Sequence, residues 1–440
     1  MKVGIDSLTF DVPKLHLPIK TLAENRNIEP EKLIKGLGLL KMTFPDVHQD
    51  VVTFAANAVY KLIQQEHLNP NEIDRIYVGT ESGVDASKPV ASYVAALLEQ
   101  QLGHRALKHC DTLDMTFACI GAVDALQTSL DFIRLNPTKK AIVVATDTAK
   151  YDLNSTGEYT QGAGAIAMLI TSTPRIISFS NEVGISSQGV FDFFKPRRYV
   201  SKNDLLNATN NPEWNGILEN EVAFYKEQPV FDGQYSNQCY INRITEAYAH
   251  YKEITQQNEI LFHNWENILM HLPYCFQARR TFIEIYASEM QLQEDTKILS
   301  KSTDYLELVN KKIRPSERAS GQVGNIYTGS IFLGLLSTLC HHVQNQTEIT
   351  GKKLGFIAYG SGSKSKVFEG QIESQWKSVI ENIPLFETLD ASHEIDFETY
   401  LGLHKKEQKK SVLTPKNEFV LQSIERENTV LLGARYYEYL

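Results

Sequence analysis

Five short apolar runs enriched in β-branched residues, at positions 75–79, 141–145, 163–170, 268–272 and 354–358, limit the possible folds more than any other feature of this chain. Runs so short and so continuously apolar suit strands buried on both faces rather than strands with one side in water. Helical spacing lies between them. Ile120, Val123, Leu126, Leu130 and Ile133 fall on one stripe, and Val51, Phe54, Ala55, Ala58 and Leu62 form the inner face of a second helix over 50–65. Strands alternating with helices predict an α/β architecture, its sheet covered by helices. At 440 residues the chain exceeds a single core, so two fused halves or two domains are expected.

Composition excludes several functions. The formal charge of −9 disfavours a nucleic-acid binder, which needs a basic excess to displace counterions. Lys311, Lys312, Arg314 and Arg318, and the run 404–410, interleave with acids and read as solvated faces. No stretch is long and apolar enough to span a bilayer, and residues 1–18, with Asp6, Asp11, Pro13 and Pro18, read as the start of the fold rather than a targeting segment. An odd set of five cysteines without framework spacing fits a reducing compartment, with the cytosol as default. The stretch 199–228, with Asn207, Asn210, Asn211 and Pro212, reads as an insertion or loop, and the apolar run 429–432 as a segment that could return to a sheet.

Three side chains carry candidate chemistry. Cys119 lies where an extended segment gives way to the first helix above, and a helix N-terminus favours thiolate; Gly121 beside it leaves room for a substrate. A buried cysteine is otherwise a small hydrophobe. Glu81 follows the run 75–79, where α/β folds open their clefts, with Asp85 as a competitor; each also reads as a turn or cap acid. His271 interrupts an apolar run, so it either satisfies a core partner or faces a site. His341 and His342 lack metal-ligand spacing, and no metal is expected. Glycine-rich turns at 324–330 and 359–363 offer backbone N–H groups to a carbonyl or carboxylate, or serve only tight packing.

Taken in order, these segments resemble the 3-hydroxy-3-methylglutaryl-CoA synthase family of the thiolase superfamily. The resemblance runs through Val3-Gly-Ile-Asp6, Gly79-Thr-Glu-Ser82, the Cys119 block, Ala145-Thr-Asp-Thr-Ala-Lys-Tyr151 and Thr160-Gln-Gly-Ala-Gly-Ala165. It continues through Phe191-Asp-Phe-Phe-Lys-Pro196, Pro229-Val-Phe-Asp-Gly233, His271-Leu-Pro-Tyr274 and both glycine-rich turns. It covers the chain to about Phe368 and leaves the C-terminal segment without a motif.

The resemblance implies that Cys119 accepts an acetyl group from acetyl-CoA, that Glu81 removes a methyl proton and later protonates the alkoxide, and that His271 holds acetoacetyl-CoA. Asn325, Ser361, Thr160 and Ser236 match positions that contact the acyl and pantetheine portions, and Tyr151 and Asp192 match the lining of the acyl pocket. Arg279 and Arg280 match a basic pair approaching the CoA phosphates, although Phe276 stands where many relatives carry lysine. No cofactor is implied, since the CoA thioesters are substrates. The implied fold is five-layered α-β-α-β-α with mixed, five-stranded sheets in two pseudo-symmetric halves, 1–172 bearing Cys119 and Glu81 and 173–440 bearing His271 and the glycine-rich turns, assembled as a homodimer. The implied setting is mevalonate and isoprenoid supply in the cytoplasm. Rival readings are a synthase acting on acyl carrier protein in polyketide β-branching, an initiating ketoacyl synthase, which needs no base such as Glu81, and a non-catalytic scaffold keeping the fold.

Overall fold

The computed structural model describes residues 1–209 and 219–440, with the side chains of 206–209 set aside. The expected buried strands form at Arg75–Gly79, Ala141–Ala149, Gly162–Thr171 and Lys353–Gly360. The fifth is Trp265–Met270 rather than 268–272, so the strand ends before His271 and the imidazole stands just beyond it. The helix Val51–Gln65 starts at Asp50, whose side chain accepts from the Val52 and Thr53 amides while Thr53 returns a bond to the Asp50 amide. The helix Gly121–Leu135 presents the stripe read from the sequence.

Strand order repeats itself. From Gly4–Asp11 the sheet passes antiparallel to Gly162–Thr171, antiparallel to Ala141–Ala149, then parallel to Arg75–Gly79 and Asp111–Met115. In the second half Ile177–Phe179 and Gly184–Ser187 share one lane antiparallel to Lys364–Ile372, which is antiparallel to Lys353–Gly360, which runs parallel to Trp265–Met270. Two features depart from the expected pair of five-stranded sheets. Gly4–Asp11 also pairs with Ile177–Phe179, joining both halves into one ten-stranded sheet. Among the described residues the second half has no outermost strand, because the chain after helix Gln277–Glu289 continues as the helices Thr296–Leu299 and Thr303–Leu308.

Five layers follow from how side chains alternate across the strands. Ala141, Val143 and Ala145 point inward to a central core shared with helices Gly121–Leu135 and Ser330–Gln344, whose other side meets Leu354, Phe356 and Ala358. Ile142 and Val144 point outward to helices Val51–Gln65 and Val90–Leu102. Ile357 and Tyr359 point outward to helices Gly233–Thr255 and Gln277–Glu289. Burial on both faces explains why the runs read as continuous rather than alternating.

Several surface readings change. The run 429–432 forms the tip of a hairpin between Phe419–Ile424 and Arg435–Tyr439, a two-stranded sheet of its own, with Val430 88 % exposed. It lies outside the large sheet because the hairpin packs only its flanks, Phe419 and Tyr437, onto the outer helices. Lys312 is no solvated charge: its ammonium donates to the carbonyls of Phe262, His263 and Trp265 at the end of a short helix. Within 199–228 the strands Arg198–Ser201 and Glu221–Phe224 pair as a small ribbon; Asn210, Asn211 and Pro212 lie outside the described residues, and Asn207 lies in helix Lys202–Thr209. No described helix is long and apolar enough to cross a membrane.

Candidate active site

A Cβ at Gly79 would sit 2.2 Å from the Ala122 backbone nitrogen, so only glycine lets the end of Arg75–Gly79 touch the start of the Cys119 helix. The two loops therefore emerge side by side. Cys119 occupies a tight bend, with Ala118 at φ 39° and the Ile120 amide donating to the Phe117 carbonyl at 3.0 Å. Its Sγ donates to Glu81 Oε1 at 3.0 Å, and the residue is 8 % exposed. Gly121 does not make room for a substrate: its open face meets the Met115 carbonyl, 2.5 Å from where a Cβ would be.

The expectation of a thiolate favoured by the helix terminus does not hold in this state. Burial, and then the Glu81 charge, push the Cys119 thiol well above its usual range, with Lys195 pulling weakly the other way. A half-charge at a helix end loses to desolvation and a full carboxylate in contact.

Glu81 is held from three sides. Its Oε2 meets Lys195 Nζ at 3.2 Å, both side chains being buried. Its amide donates to Asp147 Oδ1 at 2.9 Å. Asp147, wholly buried, also accepts from the Thr80 and Ser82 hydroxyls and from the Thr328 amide and hydroxyl, so it ties the Glu81 loop to the glycine-rich turn 324–330. Burial and the neighbouring Glu81 raise Asp147 to about 6, against hydrogen bonds from Thr328 and Ser82, leaving it ionised at neutral pH. Asp85 stays apart, exposed, accepting from the Ser87 and Lys88 amides as a turn cap.

Around the sulfur, Tyr151, Ala149 and Tyr327 form an apolar cluster flanked by Phe193 and Phe231, which pair across the short strands Phe193–Phe194 and Val230–Phe231. Tyr151 is thus packed beside the sulfur. Its amide donates to Gln161 Oε1, its carbonyl accepts from His404 Nε2 at 2.9 Å, and Gln161 Nε2 donates to Tyr400 Oη. Glu158 accepts from Tyr400 and from Arg26. His404, expected on a solvated face, is buried, and burial lowers it to about 4.

His271 is 3 % exposed, and burial lowers it to about 3, so the imidazole is neutral at working pH. Its Nδ1 has no hydrogen-bond partner among the described residues, and its carbonyl accepts from Tyr240 Oη. Tyr240 stacks near His271 and packs at 4.5 Å against Tyr359. Asp192, fully buried, accepts from Tyr359 Oη and from the Gly362 amide, both at 2.7 Å, and so fixes the turn that carries Ser361. That amide is therefore engaged and is not free for a substrate. Ser236 lies 3.5 Å from Asp192 at the first turn of helix Gly233–Thr255. Thr160 and Asn325 meet through the Asn325 amide and the Thr160 carbonyl, while Asn325 Oδ1 accepts from Tyr327 and Ser330.

The basic pair lies on helix Gln277–Glu289, away from the sulfur cluster. Arg279 is engaged by the buried Glu317 and lies 3.7 Å over the Phe276 ring, whereas Arg280 donates to the Gly36 carbonyl at the surface. Phe276 is thus a platform for Arg279 rather than an empty position. Among the described residues no group of three His, Cys, Asp or Glu is arranged to hold a metal ion.

Family models described as hydroxymethylglutaryl-coenzyme A synthase N terminal and C terminal match residues 1–174 and residues 218–308 and 294–437. The chain belongs to the hydroxymethylglutaryl-CoA synthase family. A hydroxymethylglutaryl-CoA synthase of Enterococcus faecalis is 31 % identical over 401 residues, 91 % of each chain. One of Haloferax volcanii is 31 % identical over 478 aligned positions, covering 100 % of this chain and 99 % of its own. The solved structure of MvaS in complex with 3-hydroxy-3-methylglutaryl coenzyme A superposes with a TM-score of 0.83 at 26 % identity, covering 100 % of this chain and 99 % of that one.

Within this hydroxymethylglutaryl-CoA synthase fold, sequence reading missed Lys195, Asp147, Tyr327 and Tyr400. Lys195 and Asp147 stand inside the quoted segments Phe191-Asp-Phe-Phe-Lys-Pro196 and Ala145-Thr-Asp-Thr-Ala-Lys-Tyr151, but a charge in sequence does not disclose its burial. Asp147→Asn replaces an acceptor-only group by one that must point an NH2 at donors. It is expected to leave at least one buried donor unpaired and to cost roughly 1–3 kcal/mol, read as a lower urea midpoint; an unchanged midpoint would contradict the linking role.

Proposed function

We propose that this protein condenses acetyl-CoA with acetoacetyl-CoA and water to give 3-hydroxy-3-methylglutaryl-CoA and CoA. The observation that carries the reading is the contact of Cys119 Sγ with Glu81 Oε1, at 3.0 Å in a buried pocket of a chain matched along both halves by the family models. The Cys119 sulfur attacks the acetyl carbonyl, the bond to CoA sulfur breaks, and CoA leaves as a thiol with the cysteine proton. Glu81 Oε1, which faced the thiol, then faces the acetyl group and takes a methyl proton. The resulting carbon nucleophile adds to the ketone carbon of acetoacetyl-CoA, and the proton returns from Glu81 to the alkoxide. Water finally cleaves the Cys119 thioester, freeing the new carboxylate and restoring the thiol. His271 donates to the ketone oxygen as a neutral imidazole, consistent with its burial.

Tyr151 and Tyr327 bound the acetyl site; Ser236, Ser361, Thr160 and Asn325 line the approach of the acyl and pantetheine portions, and Asp192 acts by fixing the Ser361 turn. Arg279 and Arg280 are proposed at the CoA phosphates, Arg280 being the more exposed of the two. No cofactor takes part.

Incubation with acetyl-CoA followed by intact mass measurement is expected to show one acetyl adduct that Cys119→Ser lacks. Glu81→Ala is expected to carry the adduct, since losing the carboxylate relieves the repulsion on the thiolate, yet to condense at a rate lower by a factor of about 10²–10⁴. Absence of any adduct on the unaltered protein would favour the scaffold reading, and normal condensation by Glu81→Ala would remove that residue from the base role. Turnover with a carrier-bound acetoacetyl thioester but not with acetoacetyl-CoA would favour the carrier-dependent reading.

The proposed assembly is a cytoplasmic homodimer. The edge strand Asp111–Met115 pairs on one side only and exposes Leu113, which suits strand-to-strand contact with a second copy. Sedimentation is expected to give twice the chain mass; a single-chain mass would contradict it.

A further inference from the structure

We propose that Lys195 is the positioning residue that aims Glu81 at the sulfur of Cys119, holding one carboxylate oxygen so that the other faces the bound acetyl group. The inference rests on the reading of Glu81 as base and adds a residue to it. The two oxygens of Glu81 are divided: Oε2 meets Lys195 Nζ at 3.2 Å and Oε1 meets Cys119 Sγ at 3.0 Å. The same ammonium lies 3.4 Å from the Glu81 carbonyl, so it grips side chain and main chain of one residue and fixes both position and tilt. Its remaining side faces the Tyr327 ring, 4.4 Å from the centroid.

The geometry disfavours the ordinary alternatives for a lysine near a CoA site. A lysine that binds phosphate needs its head in water or at a basic surface, whereas the Lys195 side chain is 10 % exposed and its ammonium meets both the carboxylate and the carbonyl of Glu81. Its anchor is short and rigid. It follows Phe193–Phe194, which pairs with Val230–Phe231, and Phe193 packs on Tyr151 and Tyr327. Although burial opposes its charge, the Glu81 carboxylate keeps the ammonium above its usual range.

The placed ammonium also balances negative charge in a buried site. The groups facing Glu81 are Lys195 just after strand Phe193–Phe194, Asp147 from strand Ala141–Ala149, Cys119 before its helix, and the phenols of Tyr151, Tyr327 and Tyr225. Lys195 is the cation in this set. Its removal leaves Glu81 and Asp147 with uncompensated charge.

The test uses the full chain with Lys195→Met, and Lys195→Gln should Met fail to fold, each followed in two separate reactions. Acetylation of Cys119 by acetyl-CoA is read by intact mass, and condensation by consumption of acetoacetyl-CoA over a range of its concentration. Expected are a condensation kcat lower by about 10- to 100-fold, a KM for acetoacetyl-CoA that does not change, and an adduct that still accumulates. Lys195→Arg is expected to restore most of the rate. Condensation at the wild-type kcat would overturn the proposal. So would equal losses in acetylation and condensation, the mark of a packing brace. Normal condensation by Glu81→Ala is the separate result that sinks the base reading itself.

Discussion

A carboxylate and a thiol lie in contact, both side chains almost closed to water, and the surrounding architecture is arranged around that pair. An uncompensated carboxylate there would cost several kcal/mol of desolvation, and a thiol beside it resists ionisation. Both difficulties are met locally. Lys195 supplies the opposite charge, and Asp147 fixes the loop through its amide and two neighbouring hydroxyls. Burial and the Glu81 charge both hold Cys119 toward its thiol form. The repeated strand order sets the stage, since Glu81 and His271 each follow the corresponding strand of their half, Arg75–Gly79 and Trp265–Met270.

Much of this was legible because it is written locally. A run buried on both faces announces itself by composition, and the spacing of Val51, Phe54, Ala55, Ala58 and Leu62 marks a helix by its inner face. Cys119 and Glu81 stood out because each follows a recognisable element. What stayed hidden depends on contacts between distant segments. Lys195 is 114 residues from Glu81 and Asp147 is 66, and nothing in their neighbours' sequence says that both are buried against it. His271 was read inside a strand because apolar residues continue past the last ladder pair at Met270. At Cys119 the field of the helix end is real, but burial and the opposing charge that the fold brings to the sulfur outweigh it.

The C-terminal segment, silent as sequence, has a structural purpose. Tyr400 and His404 reach back to Gln161 and to the Tyr151 carbonyl, and Asp46 accepts from the Val412 and Leu413 amides. Residues far beyond the last motif thereby hold Tyr151, which packs in the cluster around Cys119. His393–Glu394 pairs parallel with Leu15 and His16, which ties the C-terminal segment to the start of the chain. A polar, lysine-rich stretch gives little sign of this because its anchoring side chains are few and widely spaced.

The central claim is geometric: the oxygen of Glu81 that touches the thiol at rest should address the acetyl methyl once the thioester forms. A crystal structure of the protein acetylated at Cys119 tests this most directly. The account predicts Glu81 Oε1 about 3–3.5 Å from the methyl carbon, a near-attack distance, with Lys195 still on Oε2. A methyl group turned away toward Tyr151, with the carboxylate beyond reach, would contradict it.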